Sequence, residues 1–177
     1  LPEMVDGRLK GFQLWVNLPA DKKMMPPGYQ DISADRIRTA IFAGGSARVI
    51  AGAFLGVDGP AQPQIPIRLL DVRLEPGAEW TITPAAGNDL FMCVYEGAVA
   101  APDSEGGRHV IAKPGVAVFG GQGDVTVVAG ADGAEILYCE GEPIREPVEK
   151  YGPFVMNTRA ELQQAVDDFN SGKLATA

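Results

Sequence analysis

The sequence predicts a mainly β chain, an antiparallel sandwich or barrel closed by one C-terminal helix. Three observations carry that expectation: short apolar runs at regular spacing, a turn signal between nearly every pair of them, and a switch to helical period only near the C-terminus. The 22 glycines and 14 prolines among 177 residues follow no period, so they read as turns between strands rather than as a fibrous repeat.

The first run alternates. Phe12, Leu14, Val16 and Leu18 lie on one face and Gln13, Trp15 and Asn17 on the other, the signature of a half-buried strand. It stops at Pro19. Met24-Met25-Pro26-Pro27 then reads as an extended connector, because each proline restricts the residue before it. Ile41 and Phe42 precede a Gly44-Gly45 turn, residues 48–52 follow, and residues 56–66 form a loop rich in Gly and Pro. Further strands are expected at residues 69–74, 80–83, 90–95, 98–100, 109–111, 116–119, 125–128 and 135–139. Turns fall between them at Pro76-Gly77, Glu96-Gly97, Gly106-Gly107, Pro114-Gly115, Gly120-Gly121 and Asp132-Gly133. The tail changes period: Thr158-Arg159-Ala160-Glu161 fits a capping box, Leu162, Ala165, Val166 and Phe169 follow at helical spacing, and Gly172 stands past the end. A helix over residues 159–171 is predicted.

Composition excludes several function classes. A net charge of −8 leaves no basic surface to neutralise phosphates, which argues against nucleic acid. No apolar run approaches the roughly 18 residues of a membrane span. Cys93 and Cys139 form no CxxC motif and suit a reducing cytoplasm. The chain opens on Leu1 with no signal-peptide pattern, and it reads as a piece of something longer.

His109 is the single histidine, so one copy holds neither a histidine-rich metal centre nor a His-based nucleophile relay. It reads as a rim histidine near a hairpin. Cys93 and Cys139 read as small hydrophobes inside strands. Glu161, Asp167 and Asp168 read as the solvated face of the last helix. Gly120-Gly121-Gln122-Gly123 lacks the Lys-Ser/Thr of a phosphate loop and reads as a turn. Trp15, on the polar side of its run, has two readings: contact with a second domain or partner, or ordinary barrel packing.

Two long stretches carry a family resemblance. Gly11-Phe12-Gln13-Leu14-Trp15-Val16-Asn17-Leu18-Pro19 with Met24-Met25-Pro26-Pro27 and Tyr29-Gln30 resembles the middle of a pirin. Glu140-Gly141-Glu142-Pro143-Ile144-Arg145-Glu146-Pro147 with Tyr151-Gly152-Pro153-Phe154-Val155-Met156-Asn157-Thr158 resembles the pirin C-terminal segment. The resemblance implies a bicupin parent, two jelly-roll barrels in tandem with iron in the N-terminal barrel only. That iron is held by three histidines and a glutamate, and the alignment places all four ahead of Leu1. Glu3 lies past the motif and is not one of them. Arg145 falls in a recurrent pirin stretch and is expected to fix an extended segment by pairing with a carboxylate.

The expected fold is therefore a cupin-type jelly-roll barrel with an extended N-terminal connector and one C-terminal α-helix. Residues 1–32 would be the last strand of the N-terminal cupin plus connector, 33–157 the C-terminal cupin barrel, and 158–177 the helix and tail. In cupins a Gly, five residues and His-x-His begin the metal motif; after Gly77 those places hold Thr83 and Ala85. The second half, from Pro114-Gly115 to Asp124, has no histidine. No catalytic, cofactor or metal residue is therefore assigned to this chain, and Glu79, Glu96 or histidines shared between copies become candidate ligands only if metal is found. Three functions stay open. The parent is an iron-dependent quercetin 2,3-dioxygenase and this chain its non-metal half, partnered by the N-terminal cupin. Or the protein regulates a partner, such as a transcription factor or metabolic enzyme, with iron as a redox switch. Or the chain is a stand-alone empty cupin, pairing with another copy through the strand at residues 12–18.

Overall fold

Alternating apolar residues put every second side chain on one face of a strand, and the core is built from rows of equal parity. The computed structural model describes Gly7, residues 11–120 and residues 123–173. Gly28–Pro143 forms one compact unit, and the described residues of Leu1–Pro27 and Ile144–Ala177 cluster in another.

The larger unit holds ten strands: β1 (Thr39–Phe42), β2 (Gly45–Ala51), β3 (Ala53–Phe54), β4 (Val57–Asp58), β5 (Ile67–Leu74), β6 (Glu79–Ile82), β7 (Asp89–Pro102), β8 (Arg108–Ala112), β9 (Gly115–Phe119) and β10 (Val125–Gly141). The main sheet runs β1-β2-β5-β10-β7-β8, with β6 added on β10 and β9 on β7. All of its pairings are antiparallel, and β3 pairs with β4 separately. The two longest strands change partners along their length. Residues 125–128 of β10 pair with β6 and residues 134–141 with β5, while β7 meets β9 over residues 90–94 and β8 over residues 98–102. The ladder ends at β1 and β8 rather than closing into a ring. Its inward rows still meet in a single core, with Val49, Leu70, Val72, Met92, Val94, Val99, Val127, Ile136 and Tyr138 all fully buried.

The turns expected at Glu96-Gly97 and Asp132-Gly133 are not turns. Each lies inside a long strand, at the places where the β7–β10 register shifts. Gly97 (φ +70°) and Gly133 (φ +77°) face each other there, and a Cβ on Gly97 would run into the Gly133 carbonyl oxygen. Left-handed glycine with extra residues on one strand is β-bulge chemistry, which bends a strand without ending it.

In the second unit, residues 11–19 form no strand ladder. The alternation from Phe12 to Leu18 marks a two-faced segment, but a ladder also needs a neighbour, and the described residues supply none. Glu146 ties this unit together: its Oε2 accepts from the Ala20 backbone N–H and from Asn157 Nδ2, each at 2.8 Å. Arg145 (φ +56°), expected to do that tying, pairs with no carboxylate among the described residues. A hairpin of β11 (Glu149–Tyr151) and β12 (Phe154–Met156) precedes the helix α1 (Arg159–Asn170).

The capping box forms as predicted. Thr158 Oγ1 accepts from the Glu161 N–H at 3.2 Å, and Glu161 Oε2 accepts from the Thr158 N–H at 2.8 Å. Leu162 and Ala165 are buried, whereas Phe169 is largely exposed and touches Phe154 edge-on. Asp168, expected in solvent, is buried: it sits three residues past Ala165 on the covered flank and accepts from Gln164 Nε2 and Lys173 Nζ. Thr158→Ala is expected to cost about 1 kcal/mol and to speed amide exchange in the first turn of α1; unchanged exchange there would show that the cap is idle. Among the described residues, no helix is long and apolar enough to cross a membrane.

Candidate functional site

The metal motif expected from the sequence runs from Gly77 through β6 into the loop of residues 83–88. Thr83 and Ala85 are the residues that motif spacing from Gly77 sets at the two histidine places. The Thr83 hydroxyl donates to Asp124 Oδ1 at 2.5 Å, and the Ala85 side chain has no donor atom. Phe119 ends β9. Together with Pro84, Asn88, Leu90, Asp124 and Val125 it lines a cleft of about 160 Å³. Among the described residues, no three His, Cys, Asp or Glu side chains gather in a group that could hold a metal ion. An iron of the kind the fold family uses needs imidazoles. These residues do not fit it, and no step through a metal is derived for this barrel.

A buried polar cluster supports this loop instead, and parity explains its place. Arg68 shares the inward row of β5 with Leu70, Val72 and Leu74; Glu140 shares the inward row of β10 with Ile136 and Tyr138. The β5–β10 register sets Arg68 directly opposite Glu140, where opposite charges attract across a strand pair. Glu140 is only 4% exposed. Its Oε2 accepts from Arg68 Nη2 at 2.7 Å and from the Tyr138 hydroxyl in a very short contact. Its Oε1 accepts from the Ala85 backbone N–H and from Asn88 Nδ2, each at 3.3 Å. Arg68 Nη2 also donates to the Thr83 carbonyl at 3.0 Å, and the guanidinium lies 5.6 Å from the centre of the Tyr138 ring.

Burial alone would raise the Glu140 carboxyl. The hydrogen bonds from Tyr138 and Arg68, with the Arg68 charge, outweigh it and hold the group below the usual carboxylate range. Tyr138 is pushed well above the usual phenol range, by burial first and by its bond to Glu140 second. Burial tends to lower the Arg68 guanidinium, but Glu140 and Tyr138 reverse that and raise it. The cluster is thus a fixed ion pair with a neutral tyrosine, chemically a clamp rather than an acid–base pair.

The residues singled out from sequence lie apart. His109 is exposed on β8 opposite Ala101. Cys139 is buried and Cys93 partly so; neither is in a disulfide, and burial raises the Cys139 thiol. Glu79 is exposed on β6, and Glu96 pairs with Lys113. Glu3, Gly121 and Gln122 lie outside the described residues. Trp15 is 66% exposed. Within the second unit it lines a groove of about 450 Å³ with Val16, Leu18, Lys150, Val155 and Met156. Sequence reasoning missed Arg68 and Glu140, although each sits in a largely apolar inward row of its strand.

Comparison with known proteins agrees with this geometry. Residues 69–175 match the family model of the pirin C-terminal cupin domain. A pirin-like protein of Caulobacter vibrioides is 39% identical over 176 residues, covering 98% of this chain and 62% of that protein. Human pirin is 34% identical over 165 residues, covering 92% of this chain and 56% of its own length. A crystal structure of quercetin 2,3-dioxygenase from Acinetobacter baumannii superposes with a TM-score of 0.79 at 37% identity, over 90% of this chain and 55% of that one. The chain spans about three fifths of the length of these curated relatives. The fold is that of a cupin, and the chain belongs to the pirin family, whose C-terminal cupin domain it carries.

Proposed function

We propose that this chain is the metal-free C-terminal cupin portion of a pirin-like protein, and that its barrel acts as scaffold and docking domain rather than as a catalytic centre. The observation that carries the reading is the state of the motif loop. Thr83 and Ala85 fill the histidine places, and a buried Arg68–Glu140 pair takes up the polar groups behind them. The quercetin 2,3-dioxygenase named for the Acinetobacter structure supports a dioxygenase activity for the intact parent, and iron in an N-terminal cupin is what the pirin resemblance implies for it. That N-terminal cupin is the proposed partner of the groove beside Trp15, whose apolar lining and size suit a packed side-chain contact. Two cysteines outside any disulfide support a cytoplasmic setting.

Elemental analysis of the purified 177-residue chain, dialysed without chelator, tests the reading. Metal near zero per chain is expected. About one iron or nickel per chain would overturn it and bring Glu79, Glu96 or histidines shared between copies back as ligands.

A second reading, a module that docks on a separate protein or on its own copy, draws on the exposed Phe12, Trp15 and Val16 of the unladdered segment. Light scattering separates the cases: a concentration-independent monomer argues against pairing between copies.

A further inference from the structure

Residues 83–88 form a loop between β6 and β7 that carries no His, Cys, Asp or Glu side chain for a metal to hold. We propose that the opposed pair Arg68 and Glu140, with Tyr138, is a built-in brace that holds this loop in place without a metal.

Three features of the geometry carry the inference. The contacts reach both ends of the loop. Arg68 takes the Thr83 carbonyl at 3.0 Å, while Glu140 takes the Ala85 N–H and the Asn88 side-chain amide at 3.3 Å each. Within the loop, the Asn88 N–H donates to the Ala85 carbonyl at 3.0 Å, so the grip on these two residues fixes the turn between them. The anchors are also rigid. Arg68 and Glu140 belong to neighbouring strands paired over eight residues, and Tyr138 is fully buried against the Trp80 ring at 5.8 Å. Finally, the Glu140 carboxylate is saturated. It accepts from four separate donors, which leaves no oxygen free to ligate an ion and no carboxylate free to act as a base. A pair placed only for stability would need no contact with the loop, since apolar residues of similar size serve a core as well or better.

The inference rests on the metal-free reading above, yet the two fail separately, one in the metal content and the other in the exchange rate of a metal-free protein. The test is amide hydrogen exchange followed residue by residue on the full chain. It compares the parent with Glu140→Gln, with Arg68→Met and with the double variant Arg68→Met/Glu140→Leu. The double variant removes both charges together and leaves neither unpaired, so it keeps the test open if a single variant does not fold. The Ala85 and Asn88 amides of the double variant are expected to exchange at least tenfold faster than in the parent, while those of Val72 and Val94 in the core keep their protection. Parent-like exchange at Ala85 in a folded double variant would overturn the brace.

Discussion

Replacing Trp80 by alanine is expected to remove about 3–5 kcal/mol from the barrel, within the range for truncating a buried aromatic. Trp80 is 3% exposed and stands at the centre of an aromatic cluster. It stacks on Phe42 at 6.0 Å and meets Phe54 at 6.3 Å and Tyr138 at 5.8 Å, both edge-on. Edge-to-face and offset pairs add about 0.5–1.5 kcal/mol each beyond area burial. The loss would therefore consume a large share of the roughly 5–15 kcal/mol that keeps a typical domain folded. Urea unfolding followed by far-UV circular dichroism reads it directly. Trp80→Phe, which keeps a ring in place, should lose less than half as much. A loss below about 1 kcal/mol for alanine, inside the range of ordinary surface changes, would mean that the cluster is not the centre of the core.

Arg68→Met is expected to cost about 3–5 kcal/mol at pH 7, because it leaves the Glu140 carboxylate buried without its counter-charge. The pH dependence gives the sharper signature. In the parent, Glu140 titrates below its unfolded value, so its stabilising contribution is present above the ordinary glutamate range and is lost as pH falls through the depressed native value. Without Arg68, its hydrogen bond and charge are lost while burial and the Tyr138 bond remain, and the native carboxyl is expected to rise above its unfolded value. The folded variant then binds more protons than the unfolded one, and its stability grows as pH falls. The deficit measured by urea unfolding should thus narrow between pH 7 and about pH 4.5, near the unfolded glutamate value. A deficit that stays constant over that interval would show that lost packing, not a stranded charge, is responsible.

The β fold and the helix were legible because both rest on period, and period survives in a single sequence. Residues 69–74 and 80–83 lie where β5 and β6 form, and the Thr158 box starts α1 where expected. What failed was information held by neighbours. Glu96-Gly97 and Asp132-Gly133 carry the chemistry of turns, and only the facing strand turns them into bulges. Residues 12–18 have the alternation of a strand, but a ladder is a property of two segments. Asp168 lies on a boundary that helical spacing alone assigns poorly, and Arg145 was credited with the anchoring that Glu146 performs. The β11–β12 hairpin was readable and was missed, since Gly152-Pro153 between Tyr151 and Phe154 is an ordinary turn signal. Arg68 and Glu140 were visible in principle as charges at inward parity. Their opposition needed the register of two strands far apart in sequence.

That register has a consequence for how the barrel is made. β10 lies between β5 and β7 and also carries β6, so three strands wait for it. The contact between Arg68 and Glu140 closes a separation of 72 residues. Pairings this distant in sequence place a domain among slow folders, on the order of milliseconds to seconds. During synthesis, β5, β6 and β7 emerge from the ribosome before residues 125–141 do, each with a bare edge that no earlier strand of the main sheet can cover. The nascent chain therefore passes through a stretch of elongation in which its most hydrophobic strands lack their shared neighbour. Chaperone dependence and losses to aggregation should concentrate there, and end once Gly141 is clear of the exit tunnel.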